Sequence, residues 1–150
     1  MKSFKFILSA ALIGILFSYS GCKKTTPEPN PKDTQITKLS YTWKLTKNEA
    51  KLDGQAQPGY DNFQLTASGS AGQTSFGYTT TGRPSLSPWP ASGTFTFGTD
   101  FATQLVRDDG LPVTYSVSDT QLQITFNYTG AGIAGRVNNV KGNWVYTFTK

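Results

Sequence analysis

The side chains that do most covalent and proton-transfer chemistry are almost missing from this chain of 150 residues, which has one cysteine, Cys22, and no histidine. No Ser-His-Asp or Cys-His pair, His-ligated metal site, zinc finger or disulfide framework can be assembled from that inventory. Carboxylates remain. An acid-pair hydrolase needs two of them facing each other across a cleft. After residue 33 the acids are Glu49, Asp53, Asp61, Asp100, Asp108, Asp109 and Asp119, most of them beside turn-forming residues. Turn chemistry accounts for such positions, and no base or nucleophile stands out, so a hydrolase is the minor alternative to a non-enzyme. No metal or cofactor is expected.

Two motifs invite a chemical reading and fail on context. Gly130-Ala131-Gly132-Ile133-Ala134-Gly135 matches a dinucleotide-binding GxGxxG after a strand pattern. A nucleotide site needs a helix opening there and an acid about 20 residues on, whereas no Asp or Glu follows Asp119. An Ω-type loop is the simpler expectation, with Arg136 in it either holding an anion or solvated. Asp108-Asp109-Gly110 lacks the ligand spacing and terminal Glu of a calcium loop and reads as a turn.

The irregular segment with most recognition chemistry is Thr81-Gly82-Arg83-Pro84-Ser85-Leu86-Ser87-Pro88-Trp89-Pro90. Its prolines stiffen a support for Trp89 beside Arg83, and an aromatic plus a guanidinium can stack on and hydrogen-bond a sugar or a peptide. On that reading Trp89→Ala weakens binding without unfolding the domain. The preferred reading is that Trp89 instead plugs one end of the barrel, since burying so large a ring is strongly favourable. Tyr60 and Asp61, in another long connection, are candidates for the same rim.

Positioning these residues falls to strands. Leu39, Tyr41, Trp43 and Leu45 alternate with polar residues, as do Leu122, Ile124, Phe126 and Tyr128. That period of two marks half-buried strands. Further alternation at Phe63 and Leu65, Phe76 and Tyr78, Phe95 and Phe97, around Leu105, at Val113, Tyr115 and Val117, and at Trp144, Tyr146 and Phe148 makes about eight strands, with no helical period. Asp108-Asp109-Gly110 and Ser118-Asp119-Thr120 are tight enough to make their neighbours antiparallel. The expected fold is all-β, an up-and-down barrel of about eight antiparallel strands, with a β-sandwich as the alternative. Closure is preferred because it removes exposed edges. Eight strands enclose an interior that side chains fill or that admits one small ligand. So many inward rings predict a largely filled one.

The N-terminal segment has a different logic. Lys2 and Lys5 precede an apolar run from Phe6 to Tyr19, shorter than the about 20 residues of a spanning helix and typical of a signal peptide. Ser18-Tyr19-Ser20-Gly21-Cys22 resembles a bacterial lipobox, with Tyr19 where Leu is commonest; cleavage before Cys22 would leave it acylated. A secreted protein cut nearby, with Cys22 a spare thiol, is the plainer alternative. The division is therefore 1–21 signal peptide, 22–33 acylated cysteine and tether, and 34–150 the β-domain. Pro27, Pro29 and Pro31 give the tether an extended polyproline character, about 3.1 Å per residue. Lys23 and Lys24 would sit near anionic headgroups. By resemblance to lipoprotein sorting, the lack of Asp after Cys22 implies the outer membrane, and the lack of an acidic cluster favours its periplasmic face.

Most of the chain's excess positive charge belongs to that segment. From Thr34 onward there are nine cations against seven anions. Charged residues are 15% of the chain, where about 25% is usual. No basic stripe for nucleic acid is visible.

The Trp-x-Leu first strand, Ser92-Gly93-Thr94-Phe95-Thr96-Phe97, the Asp-Gly turn and the terminal Gly142-Asn143-Trp144-Val145-Tyr146-Phe148 strand together resemble the lipocalin-like domains of Bacteroidetes envelope lipoproteins over most of residues 39 to 150. That resemblance implies a small calycin-like barrel and no particular activity. The functional expectation is a lipid-anchored envelope protein with a non-catalytic binding module, its ligand an envelope glycan or protein. A carrier of one small apolar ligand is the alternative. Nothing in the sequence specifies an oligomeric state.

Overall fold

Apolar residues at every second position produce strands whose inner faces meet and whose outer faces stay in water. The computed structural model, which describes residues 28–130 and 140–150, arranges them as an antiparallel meander: β1 (Thr42–Leu52), β2 (Gln55–Ala56), β3 (Gln64–Ser68), β4 (Ser75–Thr81), β5 (Ser92–Phe97), β6 (Gln104–Arg107), β7 (Pro112–Val117), β8 (Gln121–Tyr128) and β9 (Gly142–Thr149). From β3 to β9 each strand pairs with the next, β1 pairs with β3, and β1 also pairs with β9. That last pairing closes the wall. The result is a barrel of eight antiparallel strands, with β2 a two-residue extension of β1, so the sandwich alternative does not hold.

Closure depends on β1, which serves two neighbours. Its first residues pair with β3 while its length from Lys44 to Leu52 runs along β9. Between the pairs Leu45↔Phe148 and Ala50↔Tyr146 the register shifts, and Asn48 within that stretch has φ 62°. An irregularity of this kind bends a strand sharply, as a barrel seam requires.

All eight alternating segments are strands, but the first begins later than its pattern implies. Pro31–Leu39 is a helix, α1, which corrects both the expected absence of helix and the extended reading of Pro31 to Asp33. The physical reasons lie in the residues. Asn30 caps the helix by accepting from the Lys32 N–H at 3.0 Å, Pro31 loses no hydrogen bond in the first turn, and Asp33 suits the helix N-terminus. Ile36 and Leu39, three apart, bury the same face. Leu39 thus ends a helix, and its carbonyl accepts from the Trp43 indole N–H at 2.9 Å. Tyr41, expected inside, is 47% exposed and lies under the Lys150 ammonium, 4.8 Å from the ring centroid.

Rings fill the interior. Tyr146 is the hub, with ring centroids of Tyr60, Phe63, Phe126, Trp144, Phe148 and Trp89 between 5.4 and 6.0 Å away. At one end α1 closes the barrel: Asp33 accepts from the Gly72 N–H at 2.7 Å, and Ser40 and Gly69 exchange hydrogen bonds. The strand directions send the short β3–β4, β5–β6 and β7–β8 connections to this capped end. The longer connections 53–63 and 82–91, with the 108–111 turn, go to the other, where β8 ends and β9 begins.

Candidate functional site

Every described residue singled out in the sequence for recognition belongs to a connection at that second end. Tyr60 and Asp61 lie in 53–63 and Arg83 and Trp89 in 82–91, while Arg136, in the β8–β9 connection, lies outside the described residues, as does Cys22. The topology gathers them because alternate connections of a meander share an end.

Connections 57–63 and 82–91 fold across the barrel mouth and lock together. Gly82 adopts φ +65° and leaves no room for a Cβ against the Asn62 carbonyl, while Pro84 packs against Gly59. Thr80 donates to the Pro90 carbonyl at 2.7 Å. Beneath them Tyr60 is buried, its hydroxyl accepting from that of Tyr146 at 3.3 Å. Burial pushes the Tyr60 pKa up, against the opposing effects of Ser87, Tyr146 and the nearby Arg83 charge. Tyr146, more deeply enclosed, is raised further. Phenols so raised stay protonated near neutrality, so this cluster holds the mouth together as hydrogen-bonding groups and supplies no base.

Trp89 is the plug. It is 1% exposed and contacts Phe126, Phe95, Tyr78 and Tyr146, at centroid separations of 5.2 to 6.0 Å. The plug, the preferred of the two readings of Trp89, is what forms, which corrects the exposed platform and with it the idea that Trp89→Ala would spare the fold. Arg83 is half-buried and Asp61 exposed, so of the four described candidates these two offer polar groups to the outside.

Sequence reasoning overlooked Arg107. It is 2% exposed, and its guanidinium lies 5.2 Å from the Trp89 ring centroid, donating to the Pro88 carbonyl at 3.2 Å and pairing through Nε and Nη2 with Asp109. The signal was strand parity, since Arg107 shares the inward face of β6 with Leu105. Asp109, assigned only a turn role, also caps this buried cation, which holds its carboxyl below the usual range. The Tyr78 hydroxyl and Trp89 Nε1, buried nearby, have no hydrogen-bond partner among the described residues.

The Arg107–Asp109 pair sets an acid response. A carboxyl whose folded pKa lies below its unfolded value contributes stability above that value and loses it as pH falls through the folded pKa. Thermal midpoints should therefore fall from about pH 4 downward by less in Asp109→Asn than in the parent chain. The parent's advantage at neutral pH should be about 1–3 kcal/mol, because the Asp109 side chain is 48% exposed and solvent screens the pair. Parallel pH titrations of the two midpoints would show no difference if the pair were inconsequential.

The remaining acids are dispersed. Asp53 accepts from the Asn143 N–H, Asp100 holds Ala102 and Thr103 in a turn, and Glu49 pairs with Lys51. Among the described residues no group of three or more His, Cys, Asp or Glu is placed to hold a metal.

On the outside, two recesses adjoin. One of about 640 Å³ begins at the mouth beside Asp109, Leu111 and Thr129, and one of about 390 Å³ continues down the wall over β6 to β9. They share Pro112 and Asn127 and form a trough. Its amides and hydroxyls come from Gln104, Thr114, Thr125, Asn127 and Asn143, and Asn127 donates to the Asn143 side-chain oxygen at 2.7 Å.

Compared with protein-family models, curated proteins and solved structures, the chain matches none.

Proposed function

We propose that this chain is a lipid-anchored protein of a bacterial cell envelope, resembling the lipocalin-like lipoproteins, whose closed barrel is a non-catalytic binding module presenting its long-loop end to a partner. Acylated Cys22 is the anchor in this reading. The location is the outer membrane, on its periplasmic face, with the partner an envelope glycan or protein. The observation that carries the binding role is the double closure of a ring-filled barrel, by Ile36 and Leu39 at one end and Trp89 at the other. An interior so occupied favours recognition outside the wall, where Arg83, Asp61 and the trough lie. The anchor reading is supported by the charged, apolar and small-residue sequence of positions 2–22 and by the placement of the single cysteine.

Tritiated palmitate should label the chain in a bacterial host and fail to label Cys22→Ala, and the mature protein should begin at position 22. A mature N-terminus elsewhere would remove the anchor. Photo-crosslinkers at Asp61 or Arg83 should capture an envelope component that one at Lys38 on α1 does not. Equal capture from both ends would remove the loop end from the proposal.

A second reading, carriage of one small ligand, is favoured by the Tyr78 hydroxyl and Trp89 Nε1, two buried polar groups without a hydrogen-bond partner among the described residues that a guest could meet. It requires the 82–91 connection to lift. Saturable uptake of one apolar dye per chain, quenching tryptophan fluorescence, would establish it. The filled interior predicts no such uptake.

A further inference from the structure

The outer wall has an unusual uniformity. The outward positions of β3 to β9 carry Thr, Ser, Asn, Gln, Gly, Pro and Val, and none carries a charge. The charged residues after β3 are confined to connections, to the inward Arg107 and to Lys150. Along the trough the one charged lining residue among the described residues is Asp109, at the mouth, already paired with Arg107.

We infer that this trough is a binding site for a neutral polyhydroxylated chain, an uncharged glycan lying across β6 to β9 from the mouth. The inference rests on the binding role proposed above and assigns that role a site and a ligand chemistry. Three arguments from the molecule converge on it. A charged ligand would lose water here without gaining a counter-charge, which is costly. A peptide adding as a strand needs a free sheet edge, and the β1–β9 pairing leaves the barrel wall without one. A protein surface with an apolar anchor needs a complementary hydrophobic patch, whereas the one large hydrophobic residue exposed among the described residues is Tyr41, at the capped end.

What the trough does offer suits a sugar. Hydroxyls of Thr114 and Thr125 each donate and accept, as sugar hydroxyls do, and the side-chain amides of Gln104, Asn127 and Asn143 present both functions in fixed planes. Pro112, Val106 and Leu111 supply small apolar surfaces for the C–H faces of a pyranose. The strands beneath are rigid, so little conformational entropy is lost on binding.

The test uses the full-length protein in detergent micelles, with affinity electrophoresis through dextran, mannan and laminarin as neutral probes and carboxymethyl-dextran as the charged one. At least one neutral glycan should retard the protein, more strongly than carboxymethyl-dextran does. Thr114→Lys and Asn127→Asp, both at exposed outward positions, should each weaken that retardation about tenfold. Thr79→Lys, which places the same charge on β4 away from the trough, should not. Thermal unfolding of each variant verifies the fold, with Thr125→Lys the substitute if Asn127→Asp is destabilised. Preference for the charged polymer, or retardation indifferent to the trough variants, overturns the inference. A protein that ignores all four polymers but still crosslinks an envelope protein through Arg83 overturns it too, while the binding role stands.

Discussion

Trp89→Ala should lower the stability of the barrel by about 3–5 kcal/mol. At about 3 °C per kcal/mol for a folded unit of this size, the thermal midpoint should drop by about 10 °C or more. The magnitude follows from what the ring touches. Four aromatic neighbours lie around it, and the Arg107 guanidinium sits 5.2 Å from its centroid, so truncation opens a ring-sized void at the mouth. Removing it also leaves Arg107 facing empty space. Trp89→Phe should cost far less, about 1–2 kcal/mol, because most of the packing persists and the indole N–H makes no hydrogen bond among the described residues. Circular dichroism melts of the two variants provide the comparison. Equal, small shifts would mean that Trp89 is not the plug.

Gly82→Ala is expected to be nearly as damaging, at about 2–4 kcal/mol, although it adds one methyl group. Gly82 occupies the left-handed region at φ +65°, and its Cβ would collide with the Asn62 backbone carbonyl, which no side-chain rotation can relieve. The two connections that seal the mouth would have to separate. Gly72→Ala supplies the control, since its φ of +82° carries a similar conformational penalty but nothing lies within 4 Å of the added carbon. That variant should cost about 1 kcal/mol. Denaturant unfolding measures the difference, and hydrogen exchange in Gly82→Ala should speed up across 57–63 and 82–91 while β7 and β8 stay protected. Equal costs for the two glycines would show that the mouth contact contributes nothing.

How far these features could be read in advance depended on whether their cause was local. Alternation along Gln121–Tyr128 or Gly142–Thr149 is a property of consecutive residues, and so strands and their inward faces followed directly. The helix was also local, written in Asn30, Pro31, Asp33, Ile36 and Leu39, but three prolines in the preceding segment drew the reading toward extended chain. Tyr41 followed the parity of a strand that had not yet begun, and therefore landed outside.

The site was legible only in part. Connections carrying Tyr60, Asp61, Arg83 and Trp89 were recognisable from their turn and proline content, and a meander of strands brings them to one end. The preference for an inward Trp89 followed from ring size alone, but the partners of each side chain were not recognisable, because they depend on contacts between segments distant in the chain. Asn62 against Gly82, Tyr60 against Tyr146, and Arg107 beneath Pro88 are of that kind. The trough needed most of all to be seen, for it joins residues of four strands that are individually ordinary.

Residue order alone was thus sufficient for a chain without histidine, poor in charge and patterned for about eight strands, since composition and nearest-neighbour periodicity carry that information. Barrel closure through β1 and β9, the inward turn of Trp89, the burial of Arg107 and the continuity of an uncharged trough were decided by tertiary structure. The physical reason is the same for each: their energies come from packing, desolvation and pairing between parts of the chain that meet only after folding.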